Sequence, residues 1–283
     1  MHERNEAAIQ EVLRSYRGGR IRAALRLAAQ RDPIALPQYH PQVADKDHPP
    51  SPRFPTPLRK LNQQLAGGLY GVTSLAGEPK LGKSTLAIGV ALEAAVKGWL
   101  VLFLSAEMAI EQTMARFGRY LAAHPHTDDP GRRLAILDVV TPMTSHRLVA
   151  ELSDRVVEYG DERVLVVVDS LNSLAQMLGG DYFSKLHALL LFFVRARRLA
   201  ADDLAVLAIS ELNQRGEVKG QQAAYWADCV VRLRRGNDHP GAVEVDVQHS
   251  REGGAGDLGR YVLDPSRGVF VPTAGHEGRN PCS

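Results

Sequence analysis

Short apolar runs alternate with longer amphipathic stretches through most of the chain after residue 68. The apolar runs have the length of strands and lie at 69–76, 100–105, 134–140, 163–169 and 204–210. The stretches between them have the spacing of amphipathic helices and lie at 84–97, 109–122, 145–159 and 183–201. Because strands that alternate with helices usually pair in parallel, this pattern predicts an α/β fold, a mostly parallel sheet with helices on both faces.

The pattern changes after residue 210, where strand-like runs follow one another without long helices between them. These runs lie at 227–233, 243–249, 259–264 and 268–271. Strands joined by short connections pair in opposite directions. We therefore predict that they form an antiparallel extension at the C-terminal end of the same sheet.

The N-terminal 31 residues have helical spacing with one interruption. Their apolar stripe breaks at Gly18–Gly19, and its members are Ile9, Val12, Leu13, Tyr16, Ile21, Leu25 and Ala28. The segment carries seven Arg against three Glu, a net charge of +4. Two interpretations stay open for this basic arm: a solvated helix face, or a surface for nucleic acid or a protein partner.

Proline density marks a boundary after the basic arm. Eight prolines lie between residues 32 and 57, which predicts an extended linker over 32–56. A compact α/β domain over 57–272 and a flexible tail over 273–283 complete the predicted organisation.

Composition narrows the class of protein only slightly. The chain has 283 residues, 45% of them hydrophobic, and a formal net charge of +2, which is ordinary for a globular protein. Two cysteines, Cys229 and Cys282, are too few for a disulfide scaffold or a cysteine zinc site. The N-terminus lacks a signal-peptide pattern, and the longest apolar run, 188–194, is too short to span a membrane. We expect a soluble, cytoplasmic protein without a membrane partner.

Residues 77–84 read Gly-Glu-Pro-Lys-Leu-Gly-Lys-Ser and fit the phosphate-binding pattern G-x-x-x-x-G-K-[ST] between a predicted strand and a predicted helix. In such a loop, glycines let successive N–H groups point at phosphate oxygens, and the helix N-terminus adds a positive dipole end. Lys83 would reach the β- and γ-phosphates, and the Ser84 hydroxyl would bind Mg²⁺. The predicted nucleotide-binding residues are Gly77, Glu78, Pro79, Lys80, Leu81, Gly82, Lys83, Ser84 and Thr85.

Two carboxylates follow other predicted strands of the sheet. Asp169 ends the run 163–169, and Glu107 comes just after the run 100–105. The carboxyl ends of parallel strands meet at one sheet edge, where ligands of such folds bind. We predict Asp169 as a nucleotide-side and metal-side residue with Ser84, although an Asp there could simply cap the next turn. Because Ser170 follows Asp169 where a base could stand, we predict that Glu107 holds the attacking water.

Several motifs in a constant order resemble one family of ATPases. Residues 55–84 are similar to the entry of DnaB-, RadA- and KaiC-type proteins of the RecA superfamily. Four further segments carry the likeness: Ser105–Met108 with Gln112 and Arg116, Val168–Ser170, Ser210–Asn213 and Tyr225–Val231. The resemblance covers about residues 56–270. It implies a RecA-like fold, Mg²⁺-dependent hydrolysis of ATP, and a homo-oligomeric ring or filament with sites at subunit interfaces.

The resemblance also implies roles for individual residues. Glu107 would be the catalytic glutamate, and Arg251 would reach the γ-phosphate of a neighbouring subunit. His249 stands where relatives have the Lys of a Lys-x-Arg pair, so a surface arginine at a strand end is the alternative for Arg251. Glu211 stands where DnaB-type proteins have a γ-phosphate-sensing Gln, so we assign part of that role to Asn213.

Two loops correspond to the nucleic-acid contacts of such assemblies, at 176–182 and 214–222. The second carries Arg215 and Lys219 among glycines, which suits contacts with backbone phosphates. Three functions follow as hypotheses. The first is ATP hydrolysis coupled to binding, translocation or remodelling of single-stranded DNA in replication, recombination or repair, with DNA helicase activity included. The others are a KaiC-like regulatory switch and a helicase-accessory subunit, each acting on a protein partner.

Overall fold

A single nine-stranded sheet organises the part of the chain that the structure describes, with strand order β3-β2-β4-β5-β1-β6-β7-β8-β9. This computed structural model describes residues 19–29, 51–124, 130–139, 144–159, 163–178, 180–200, 203–212, 227–236 and 241–273. The strands are β1 (Val72–Gly77), β2 (Leu100–Ser105), β3 (Leu134–Asp138), β4 (Val164–Asp169), β5 (Leu204–Glu211), β6 (Cys229–Arg235), β7 (Ala242–Ser250), β8 (Gly256–Asp264) and β9 (Val269–Pro272).

The helices lie between these strands as the apolar spacing predicts. They are α1 (Gly19–Ala28), α2 (Arg59–Gln64), α3 (Lys83–Val96), α4 (Ile110–Ala123), α5 (Ser145–Tyr159), α6 (Leu171–Met177) and α7 (Tyr182–Ala200), with a 3₁₀ turn at Pro130–Arg133. No single described helix is long and apolar enough to cross a membrane; α6 and α7 meet the length and composition test only as a pair bent by 116°.

Strand directions confirm the predicted α/β fold class and refine one part of it. Strands β1 to β6 pair in parallel, and β7, β8 and β9 pair in antiparallel fashion beyond them. The sequence predicts segment 227–233 within the antiparallel extension, but β6 pairs in parallel with β1 instead. The hydrophobic pattern of β6 cannot report its direction, because period-2 alternation is the same in both.

Side chains on the two faces of the sheet pack into two separate hydrophobic clusters. Along β2, Leu102 and Leu104 enter the cluster that includes residues of α1, α5, α6 and α7. Phe103, between them, enters the cluster that includes residues of α2, α3 and α4. Successive strand residues point to opposite faces. Helices therefore cover the sheet on both sides, and β2 is buried throughout its length.

Helix α1 places part of the basic arm against the domain. Its residues Ile21 and Leu25 are buried in the first cluster, and Arg20 forms an ion pair of 2.7 Å with Asp203. Phe54, in the proline-rich segment, is also buried and pairs with Leu69 in an antiparallel bridge. Residues on both sides of 30–50 therefore contact the α/β domain, while residues 1–18, 30–50 and 274–283 lie outside the described residues.

Parallel pairing brings several strand ends to one edge of the sheet. Gly77 at the end of β1 lies opposite Glu211 of β5, and Ser105 at the end of β2 lies opposite Asp169 of β4. Loops that follow these four strands therefore converge, although their residues are far apart in the sequence.

Candidate active site

The phosphate-loop segment leaves β1 at Gly77 and enters α3 at Lys83. Lys80 and Gly82 have positive φ angles of 66° and 85°, which curl the backbone back toward the helix N-terminus. A Cβ on Gly82 would lie 2.8 Å from Phe270 and 3.0 Å from Leu263, so the turn also needs glycine for close approach to the β8–β9 hairpin.

The Lys83 side chain lies inside this curl. Its Nζ donates hydrogen bonds to the carbonyl oxygens of Gly77, at 2.9 Å, and Glu78, at 2.7 Å. Burial lowers the pKa of the Lys83 ammonium group, whereas the charges of Glu211 and Glu107 raise it. A buried cation held by neutral carbonyls gains strongly from an anion nearby. Lys83 is thus placed to receive phosphate oxygens.

Ser84 and Asp169 form the second polar pair of the site. The Ser84 hydroxyl donates to Oδ1 of Asp169 at 3.1 Å, and Asp169 is only 2% exposed. Burial raises the pKa of Asp169 from 3.8 to about 6, against the Ser84 hydrogen bond, which lowers it. Adjacent hydroxyl and carboxylate oxygens suit a hard divalent cation, and such a cation would offset the cost of burying the charge. These two residues therefore fit Mg²⁺.

One cavity of about 470 Å³ unites the ends of these strands and loops. Eight residues predicted from the sequence line it: Pro79, Lys80, Gly82, Lys83, Ser84, Thr85, Glu107 and Glu211. Gly77, Glu78 and Leu81 belong to the same loop, and Asp169 lies buried behind Ser84. Glu107 is exposed, so solvent can reach its carboxylate. The cavity thus combines a cation, a metal-binding pair and an accessible carboxylate.

Other cavity residues were not predicted as site residues. Arg116 entered only as part of the resemblance, and Arg119 lies one turn further along α4. The i, i+3 spacing of these arginines was a usable signal, because residues three apart share a helix face. The other missed residues are Ile88, Met108, Ser170, Ile209, Leu263, Pro265 and Gly268. Leu263, Pro265 and Gly268 come from the β8–β9 hairpin, which no local pattern connects to the phosphate loop.

Arg251 lies far from this cavity. Ser250, which precedes it, pairs with Cys229 at the start of β6, whereas Gly77 pairs with Leu233 near its end. The intervening part of β6 spans about 13 Å at ~3.3 Å per residue. The Nε atom of Arg251 lies 3.6 Å from Oδ1 of Asp228, in an ion pair at this opposite edge. Arg251 and the phosphate loop of the same chain are therefore not brought together.

The remaining predicted residues fall in segments without described coordinates. Asn213, Arg215 and Lys219 lie outside the described residues, so their roles stay predictions. Of the loop over 176–182, Tyr182 is described, and its hydroxyl accepts a hydrogen bond from the buried amide of Asn172. Asn172 Oδ1 in turn accepts from the Glu211 N–H at 3.3 Å, which connects the start of α7 with the cavity wall.

A sheet with this strand order, a phosphate loop after β1 and an acidic residue after β4 defines a RecA-like P-loop nucleotide-binding protein. Comparison with known proteins agrees with that class. A family described as an AAA domain matches residues 43–216, and the chain belongs to this family. Together with the confirmed fold, this makes the protein a P-loop ATPase of the RecA superfamily.

Two curated relatives share part of the chain. The DNA repair protein RadA of Mycolicibacterium smegmatis is 33% identical over 145 residues, which cover 45% of this chain and 30% of that protein. The DNA repair protein RadA of Halalkalibacterium halodurans is 32% identical over 88 residues, covering 30% and 19% respectively. The chain therefore spans less than a third of the length of these relatives.

Two solved structures have a similar fold. A KaiC-like protein from Pyrococcus horikoshii superposes with a TM-score of 0.61 at 17% identity, over 79% of this chain and all of that one. The ATPase domain of a DnaB-like helicase gives a TM-score of 0.58 at 17% identity, over 76% of this chain and 91% of that domain. At this identity the likeness concerns the fold alone.

Burial of Asp169 predicts a stability difference that depends on pH. Its raised pKa favours folding below the unfolded value, near 4, and this contribution is lost as the pH rises through about 6. At pH 7.5 in EDTA, Asp169→Asn should therefore be more stable to urea than the unmodified protein, by up to about 3 kcal/mol. The difference should shrink toward pH 5. Asp154→Asn, at an exposed position of α5, is the control, and equal pH profiles for all three proteins would contradict the assignment.

Proposed function

We propose that the protein hydrolyses ATP at interfaces between copies of the chain and couples hydrolysis to single-stranded DNA. The observation that carries the proposal is the cavity where Lys83, the Ser84–Asp169 pair and Glu107 meet. These are the groups that phosphoryl transfer to water requires: a cation for the phosphates, a metal site and a group that orients water.

The residues of the cavity divide the work along its length. We infer that phosphate oxygens replace the Gly77 and Glu78 carbonyls as partners of Lys83, because charged acceptors bind ammonium groups more strongly than neutral ones. Ser84 and Asp169 would hold Mg²⁺, which supplies neutralisation of charge on the β- and γ-phosphate oxygens. The far wall, with Arg119 and Pro265, offers a cationic plane and an apolar surface for the nucleotide base.

Glu107 is the group we assign to the water. It follows β2 on the exposed rim of the cavity, whereas Asp169 is buried beneath it. An accessible carboxylate accepts a proton from a water molecule aligned with the γ-phosphate, and the buried one cannot. Ser170 cannot take this role, since its hydroxyl lies in hydrogen-bonding distance of Ser173 and caps α6.

Subunit assembly would supply the remaining cation. Arg251 cannot serve its own cavity, because the two lie at opposite edges of the sheet. In a head-to-tail assembly, the opposite edge of one chain meets the cavity edge of the next. A guanidinium group there would stabilise charge that develops on the transferring phosphoryl group. Such a site is complete only between two chains.

The coupling to DNA rests on relatives and on sequence. Both curated relatives are DNA repair proteins, and Arg215 and Lys219 suit phosphate contacts. A slow regulatory switch that acts on a protein partner is the second candidate. It is favoured by Glu211, a carboxylate that lines the cavity and repels the phosphates unless Lys83 offsets it. The same repulsion would also suit an accessory subunit that depends on a partner for hydrolysis.

Two substitutions separate nucleotide binding from hydrolysis. We predict that Lys83→Ala loses ATP binding, whereas Glu107→Gln binds ATP with nearly normal affinity and hydrolyses it at least ~100-fold more slowly. Equilibrium binding of a fluorescent ATP analogue and phosphate release measure the two steps. Normal hydrolysis by Glu107→Gln would show that another group orients the water.

Mixed assemblies test the role of Arg251 across subunits. Arg251→Ala should bind ATP normally but hydrolyse it roughly 1,000-fold more slowly, as expected for loss of a trans-acting arginine. Mixing it with Glu107→Gln should restore part of the activity, because some interfaces then combine an intact Glu107 with an intact Arg251. Activity of the mixture equal to the sum of the separate variants would argue against a shared site.

Turnover with and without DNA distinguishes the motor from the switch. We expect single-stranded DNA to stimulate ATP hydrolysis about tenfold or more, and Arg215→Glu with Lys219→Glu to abolish this stimulation while basal turnover persists. The measurement is phosphate release at low salt with a poly-dT oligonucleotide. No stimulation, together with no retention on a DNA column at low salt, would leave the regulatory switch as the better account.

A further inference from the structure

The backbone on both sides of Arg251 is bound to one phenol oxygen. Tyr70 lies just before β1 and is 1% exposed. Its hydroxyl lies 2.9 Å from the hydroxyl of Ser250 and accepts a hydrogen bond of 2.9 Å from the Glu252 N–H. Arg251 stands between these two residues. The turn that carries it is therefore attached to a buried side chain of the sheet's other edge.

The direction of each hydrogen bond follows from the available protons. The Ser250 hydroxyl donates to the carbonyl oxygen of Gly253, so its proton is already used. The Tyr70 hydroxyl must then donate to Ser250 Oγ, with the Asp228 carbonyl 3.2 Å away as a second acceptor. Only a group that both donates and accepts satisfies this arrangement, and burial, which raises the pKa of Tyr70, keeps it protonated.

A second set of contacts holds the other side of the same turn. The guanidinium group of Arg53 lies 4.1 Å from the centre of the Tyr70 ring and forms an ion pair with the carboxylate of Glu252. Stacking on the ring and pairing with the turn fix both ends of the Arg53 side chain. Arg53 belongs to the proline-rich segment before the domain, so that segment also contacts the turn.

The Arg251 side chain itself is held less tightly. Its backbone N–H donates to the Asp228 carbonyl at 2.9 Å, but its guanidinium group is 43% exposed and lies 3.6 Å from the Asp228 carboxylate. The base of the side chain is thus fixed while its end can exchange partners. This is the arrangement required of an arginine that must reach a second molecule from a defined position.

We propose that Tyr70 is a positioning residue for Arg251: its hydroxyl fixes the turn over 250–253, so that Arg251 of one chain reaches the nucleotide of the next. The inference rests on the proposed function, in which Arg251 acts across subunits. It adds a residue that touches neither nucleotide nor water and lies at the opposite edge of the sheet from its own cavity.

Removal of one oxygen atom tests this role. Tyr70→Phe keeps the ring that stacks on Arg53 and loses the hydroxyl. We expect kcat for ATP to fall roughly 10- to 100-fold, as a displacement of about 1 Å in a catalytic group does, while the KM and nucleotide affinity stay unchanged. Tyr261→Phe is the matched control, because Tyr261 is also buried and its hydroxyl donates to the Leu258 carbonyl in β8, away from the turn. It should keep normal turnover.

Mixing distinguishes positioning from general damage. A Tyr70→Phe chain has an intact cavity, so Glu107→Gln chains, which have an intact Arg251 turn, should restore part of its activity. A chain damaged throughout would not recover, since its own cavity would also be altered. Ser250→Ala, which removes the oxygen between Tyr70 and Gly253, should lower kcat in the same way and decides the matter if Tyr70→Phe does not fold.

The outcomes separate this inference from the proposed function. Slow turnover in both Arg251→Ala and Tyr70→Phe, each restored by mixing, supports the inference. Slow Arg251→Ala with normal Tyr70→Phe overturns the inference and leaves Arg251 in its role. Normal Arg251→Ala overturns both, whatever Tyr70→Phe does. Loss of nucleotide affinity in Tyr70→Phe also overturns the inference, because the defect would then lie in the chain's own cavity.

Discussion

The parallel pairing of β1, β2, β4 and β5 is the constraint on which the site depends. Each strand is buried and ends at the same edge, so the register decides which side chains meet. The pairing of Ser105 with Asp169 and of Gly77 with Glu211 brings together residues more than sixty positions apart in the sequence. A slip of one residue in any pair would turn a carboxylate toward the hydrophobic face. Packing on both faces of the sheet therefore also maintains the chemistry.

The site holds charges that the fold alone does not favour. Burial lowers the pKa of Lys83 and raises that of Asp169, so each group is more costly to ionise than in water. The protein keeps both because phosphate and a divalent cation would offset these costs on binding. Part of the nucleotide affinity is thus prepared in the folded chain, at the expense of its stability.

Local patterns in the sequence predict the site where the chemistry is local. The phosphate loop, the strand before it and the helix after it are contiguous, and Asp169 and Glu107 follow strands that alternate with helices. The β8–β9 hairpin could not be predicted as a cavity wall, since Pro265 reaches Gly82 only through the order of strands in the sheet. Nor could the contacts of Tyr70, because its partners lie more than 150 residues away.

Opposite edges of one sheet carry the two halves of the proposed catalytic site, so a single chain is incomplete. The most direct test is ATP turnover per chain as a function of protein concentration, with assembly followed by light scattering in the same samples. We predict that turnover per chain rises as the protein assembles and then reaches a plateau. Turnover per chain that stays constant from the monomer to the assembled state would contradict a site shared between subunits.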